Sequence, residues 1–183
     1  MTDSDEAWAP WDSNIKGWLV LLAITVAFFV GRRIPLAGID REILAQFPAG
    51  SVASIFMLDV AVLLAIRLGT MLFVPSGVPD KTVRVLHKLG LVLYLIISGV
   101  QGAAVAWALE QMMFGYGGVV SQPGWSFRIV TVITLGAAAA LLWWMADRIS
   151  ATKLVNGALW LYTLSAMSSG VNMLTNPSLY WEP

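Results

Sequence analysis

Cysteine is absent from this chain, and histidine occurs once. The first absence excludes disulfides and thiolate metal sites and leaves the redox compartment open. Charge is scarce as well. Only 12% of residues are Asp, Glu, Lys or Arg, and eleven of each sign cancel to a formal net charge of zero. A neutral chain has no basic footprint for nucleic acid, so no nucleic-acid partner is expected. Catalytic signatures are missing too: no nucleophile–base pair, no phosphate loop and no paired carboxylates stand out. The expectation is a protein that is not an enzyme and carries no cofactor and no metal.

What the chain has in excess is apolar surface. Of its 183 residues, 58% are hydrophobic, and the mean hydropathy is +0.75. A soluble domain of this size cannot hide so much, so the solvent is lipid. The fold class expected is all-α, a polytopic integral membrane protein. Five apolar segments read as spans, at about 15–31, 53–73, 89–114, 125–146 and 154–174, against a need of roughly 20 residues each. Each must be helical, because lipid cannot satisfy an open backbone. Turn signals separate them: PSGVPD at 75–80, GYGG at 115–118, QPG at 122–124 and NG at 156–157. This gives an acidic, Trp-containing tail at 1–14, one five-helix membrane domain at 15–174 and a tail at 175–183. Arg32 and Arg33, not a small-residue cleavage site, follow the first apolar run, so a removed signal peptide is not expected.

Orientation follows from the basic residues. Lys16, Lys81, Arg84, Lys88, Arg148 and Lys153 fall on the N-terminal side, and Arg32, Arg33, Arg41 and Arg128 on the other. The bias puts the N-terminus in the cytoplasm and the C-terminus outside, in a bacterial inner membrane. Trp8, Trp11, Trp18, Trp125, Trp143, Trp144 and Trp181 fall near the expected interfaces, where an amphipathic ring anchors a span. Between spans one and two, Asp40 can cap a short helix over 41–47, which Pro48 ends. Ile39, Ile43, Leu44 and Phe47 share one face there, as in a helix lying on the membrane surface.

The stretch GRRIPLAGID at 31–40 carries a turn, Ile34-Pro35-Leu36-Ala37-Gly38-Ile39-Asp40, that resembles the IPxPGID-like signature of the SecY protein-translocation channel family. Ala37 stands where the second proline is usual. Downstream, SVASIFMLDV at 51–60 resembles the opening of the family's second span, and LVLYLIISGVQGAAVAWALE at 91–110 its third. The stretch 122–160 resembles the fourth span, its charged turn (here MADRIS) and the GNG entry to the fifth, where Val155-Asn156-Gly157 stands. The resemblance covers almost the whole chain in order, and it runs to the family's midpoint. It implies one five-helix half of the SecY inverted repeat. It also implies that the second half's ribosome- and motor-docking loops and its side of the lateral gate are missing, and that the plug segment is short.

Carried over by resemblance, pore-ring aliphatic positions fall on Leu64 and Leu68, with Leu161 as the best placement in the fifth span. Such rings seal a channel by excluding water. Leucines on a membrane helix also simply pack or face lipid.

Asp59 and Arg67 interrupt the second span, at positions where the family has small residues. They lie about 80° apart around the helix and two turns along it. A charge in hydrocarbon costs about 2.5–3.5 kcal/mol on insertion scales, so each needs a partner, a cavity or an interface. The favoured reading is a subunit interface. A polar cavity, or a shallow Asp59 that reaches water, are the others. Glu110 reads as a solvated helix end. His87, beside Arg84 and Lys88, reads as interfacial, with a cofactor-ligand role the weak alternative. Ser98 with Gly102, Gly136 with Ala140, and Ser165 with Ser169 form small-xxx-small pairs that allow close helix contact.

The functional expectation is a SecY-like half-channel that is not an autonomous translocase. It would serve as a scaffold or interaction subunit of a larger inner-membrane complex, with lipid, other membrane subunits and a second copy of itself as partners. The alternative is a translocation or insertion conduit formed by pairing with a second half.

Overall fold

Lipid leaves a backbone no partner outside its own segment, and the long apolar segments among the described residues are helices. The computed structural model describes residues 9–34, 36–39, 59–73, 79–114 and 117–175. They form helices α1 (Ala9–Gly31), α2 (Asp59–Phe73), α3 (Asp80–Gln111), α4 (Trp125–Ala151) and α5 (Gly157–Thr175). A short antiparallel hairpin, β1 (Met113–Phe114) with β2 (Gly117–Gly118), sits between α3 and α4, with Met113 opposite Gly118. The all-helical class expected from composition is the one observed. The interfacial helix expected at 41–47 lies outside the described residues.

Helix limits differ from the hydropathy segments. α3 begins at Asp80, a full two turns before the apolar run. It ends at Gln111, and Met113–Phe114 belong to the hairpin. α1 and α4 likewise extend past their apolar stretches. The reason is that hydropathy measures the hydrocarbon layer, while a helix continues through the interface until a turn stops it. Pro79 precedes the start of α3. Among the described residues, Lys81–Gln111 and Trp125–Ala151 are long and apolar enough to cross a membrane; Ile15–Gly31 and Val60–Thr70 are shorter apolar helices.

α4 is the central element and packs against every other helix. Its buried residues Thr131, Leu135, Ala138, Leu142, Met145 and Ile149 recur at helical spacing. Around Ala138, Leu142, Met145 and Ile149, Leu21 and Phe28 of α1, Leu63 of α2, Tyr94 of α3 and Leu161 of α5 complete one core, while Leu135 belongs to a second cluster.

Small residues set the closest contacts. A Cβ on Gly102 would lie 3.3 Å from Val132 Cα, and Ser98 is fully buried. The Ser98–Gly102 pair therefore seats α3 on α4. Gly136 faces open space and Ala140 is exposed, so that pair seats nothing among the described residues. At the α4–α5 turn, Asn156 caps α5: its Oδ1 accepts from the N–H groups of Ala158 at 3.1 Å and Leu159 at 3.2 Å. Gly157 N–H donates to Ser150 Oγ at 2.9 Å. A Cβ on Gly157 would stand 2.0 Å from the carbonyl oxygen of Ala146, so no other residue fits this approach.

Gly157→Ala should therefore destabilise the fold by about 3 kcal/mol or more, through overpacking against a backbone that cannot retreat. Gly136→Ala, into open space, should change it by no more than about 1 kcal/mol, with the sign stabilising. Thermal unfolding in detergent, followed by helical circular dichroism, separates the two.

Candidate functional site

A guanidinium this deep in an apolar chain must be matched, and Arg67 is matched three ways. It is 16% exposed and forms an ion pair with Asp147 on α4. Its Nη1 donates to His87 Nδ1 on α3 at 3.1 Å. Its Cζ lies 3.8 Å from the ring centroid of Trp143, as a cation over an aromatic face. The Trp143 ring in turn packs on Tyr94, with centroids 5.8 Å apart.

His87 closes the circuit. His87 Nε2 accepts from the Trp143 indole N–H at 3.2 Å, and Asp147 Oδ2 lies 3.2 Å from the same nitrogen. His87 thus sits between the cation of α2 and the carboxylate of α4. The result is a polar staple across α2, α3 and α4, with its carboxylate 38% exposed.

Arg67, read from the sequence as a charge at a candidate subunit interface, finds its carboxylate within the chain. The side chain of Asp59 lies outside the described ones. For His87 the structure supplies protein partners on both ring nitrogens. No group of three or more metal-ligating side chains occurs among the described residues.

A second fastening lies at the far end of α3. Glu110 is 4% exposed, which corrects its reading as a solvated helix end. One of its oxygens accepts from Arg128 Nε at 2.8 Å and Nη2 at 2.6 Å. The other accepts from Gly124 N–H at 2.8 Å, at the start of α4. The glycine-rich connector had suggested water around Glu110; instead it lets α4 start beside the carboxylate.

The signature turn forms the third. Gly38 has φ +88°, a left-handed conformation that glycine takes at no steric cost. A Cβ there would also meet Phe127 Cδ2 at 2.9 Å. The Gly38 carbonyl accepts from Ser121 N–H at 3.1 Å and Ser121 Oγ at 2.9 Å, and Ile39 forms a β-bridge with Val120. Leu36 and Ile39 are buried against Val119, Val120 and Phe127. Ile34 is exposed, and Pro35 and Asp40 lie outside the described residues. Just before the turn, buried Arg32 donates from Nη1 to the Ser165 carbonyl of α5 at 3.1 Å.

Of the ring-like positions, Leu161 has no exposure and belongs to the central core. Leu64 packs partly against that core, and Leu68 is 43% exposed on the outer side of α2.

Comparison with known proteins shows a likeness over part of their length. The chain is 26% identical over 168 residues to the protein translocase subunit SecY of Aquifex aeolicus (strain VF5), an alignment that covers 77% of this chain and 39% of that protein. It is 35% identical over 74 residues to SecY of Rickettsia typhi (strain ATCC VR-144 / Wilmington), covering 40% of this chain and 17% of that protein, and SecY of Rickettsia bellii (strain RML369-C) aligns to the same extent. The chain is SecY-like. It is a membrane protein that spans about two fifths of the Aquifex aeolicus relative's length. No protein-family model matches it. The signature turn resembling SecY is thus a place where this SecY-like chain fixes its α1 exit to the α3–α4 connector, and glycine is required there by backbone angle and by space alike.

The staple makes an asymmetric prediction. Asp147→Asn strands a mostly buried guanidinium and should cost about 1–3 kcal/mol. Arg67→Gln leaves a carboxylate that already reaches solvent and should cost less. The double variant Arg67→Met, Asp147→Leu should recover most of the loss, as the thermal midpoints of the purified proteins would show.

Proposed function

We propose that this SecY-like chain is a structural and interaction subunit of a larger assembly in the bacterial inner membrane, and not a conduit complete in itself. The observation that carries this reading is the fate of the ring-like leucines. Side chains that seal a pore must meet around a water path. Here Leu161 lies inside the packed core, Leu64 leans on it and Leu68 points away from it. The intramembrane cation that could have polarised a path is occupied by Asp147 and His87.

What α2 leaves open supports the interaction role. Ala61, Ala65 and Leu68 are exposed at helical spacing on its outer side. Small residues there allow another membrane helix to approach closely. The proposal includes five spans, a cytoplasmic N-terminus and an external C-terminus, supported by the basic residues at the Lys81–Lys153 end.

A second reading is favoured by the relatives' identity as translocase subunits. In it the same α2 face joins a second half, from a partner or an inverted copy, to build a translocation or insertion conduit.

A photo-crosslinking residue at Leu68, in cells, separates the readings. The scaffold role predicts capture of a defined integral membrane protein. Capture of a secretory chain in transit would favour the conduit. Crosslinks to lipid alone would overturn both. A reporter at the C-terminus should give one orientation for the scaffold, and two for an antiparallel pair.

A further inference from the structure

His87 is the only histidine of the chain, and it stands where three helices are fastened together. Histidine is the side chain whose charge changes most readily near neutral pH. A neutral imidazole has one bare nitrogen and one N–H; an imidazolium has two N–H groups and no acceptor. The neighbours of His87 make that difference matter. Arg67 Nη1 of α2 lies 3.1 Å from Nδ1, and the Trp143 indole N–H of α4 lies 3.2 Å from Nε2. Both neighbours are donors, and each needs a bare nitrogen. The third neighbour is an acceptor: Asp147 Oδ2 of α4 lies 3.2 Å from Nε2. The side chains of His87 and Asp147 are 40% and 38% exposed, so water can deliver a proton to the ring.

The helices packed most on α3 are α2 and α4, and the charged groups they turn on the ring are Arg67 and Asp147. Arg148 of α4 is exposed, with its Cζ 5.6 Å from the centroid of Trp144. On α3 itself, Arg84 and Lys88 are exposed on either side of His87 in sequence. A second proton on the ring acts on α2 and α4 in opposite senses. Neither nitrogen can then accept, so Arg67 Nη1 faces an N–H of like charge. Nε2–H instead donates to the Asp147 carboxylate, as a charge-assisted hydrogen bond. The α2–α3 contact is lost and the α3–α4 contact is strengthened. Arg67 keeps Asp147 Oδ1 and the face of Trp143, so α2 stays on α4.

We propose that His87 is a proton-operated latch between α2 and α3: the neutral ring holds the cation of α2, and the protonated ring releases it. What the latch controls lies beside it. An open apolar trough of about 570 Å³ runs between the two helices, with Ile66, Gly69 and Thr70 on the α2 side and Leu86, Leu89 and Leu93 on the α3 side. Leu86 precedes His87 in the chain, so the latch sits at the end of the trough. The walls meet at one place and part at another. A Cβ on Gly90 would lie 3.5 Å from Ile66 Cγ2, whereas one on Gly69 would meet nothing within 4 Å. Gly90 is about one helical turn from His87. Release at the ring therefore tilts α2 about the Gly90 contact and widens the trough at its end. The latch works within the chain and does not rest on the partner role proposed above.

The test uses the full chain purified in detergent and titrated toward acid. With one histidine in the chain, NMR of isotope-labelled histidine reads directly when this ring takes its second proton. Cysteine is absent, so two introduced thiols carry the only spin labels. Leu68→Cys on α2 with Val85→Cys on α3 spans the latch, and Val85→Cys with Leu141→Cys on α4 is the reference; all three positions are exposed. As the ring takes its proton, the first distance should lengthen by about 1–2 Å and the second should hold. His87→Gln should abolish the change. His87→Lys, a standing donor and cation, should keep the longer distance throughout. A ring that protonates with the α2–α3 distance unchanged would overturn the proposal. So would a change that survives His87→Gln, the shorter distance in His87→Lys, or a ring that stays neutral until acid unfolds the chain. The parent chain decides by itself where a variant does not fold.

Discussion

The Arg67–Asp147 pair decides where α2 lies. An unmatched cation in hydrocarbon costs more than most single contacts return, so α2 is held wherever a carboxylate waits. Asp147 waits on the central helix, and His87 and Trp143 complete the cage on two sides. Once α2 is fixed there, both of its free faces are fixed too. One carries Ala61, Ala65 and Leu68, and the adjoining one, with Ile66 and Gly69, borders an apolar trough against α3.

The bundle is fastened again at its other end, by different chemistry. There Glu110 binds Arg128 and the first turn of α4, while the Gly38 turn binds Ser121 and Val120. Between the two polar ends the helices meet through leucines and glycines, where lipid offers no hydrophobic incentive and close fit must suffice. Polar groups thus choose which helices are neighbours, and small residues choose how near they come.

The membrane class and the helices were legible because each apolar run must satisfy its own backbone. Their ends were less so: the first two turns of α3 are charged, and hydropathy discounts residues such as Lys81 and Arg84 that a helix readily accommodates. Arg67 was legible as a charge in need of a partner. The partner was not, because Asp147 lies 80 residues on, and only packing brings them together. Glu110 misled because a glycine-rich connector reads as wet, whereas here it lets the next helix start beside it. The signature turn was legible as a resemblance to SecY, but its dependence on Gly38 became physical only with φ and Phe127 in view. Leu161 was placed on a ring by analogy of position, and a face cannot be assigned from position when the neighbouring helix is unknown.

The contact at Gly157 sets a rule for motion. With a main-chain oxygen filling the place of its missing side chain, α5 has one axial setting against α4. Slipping by a turn would bring Leu161 toward the same spot, where not even a methyl group fits. The last two helices therefore translate as a single rod, and any rearrangement of this molecule must be taken up by the elements around them.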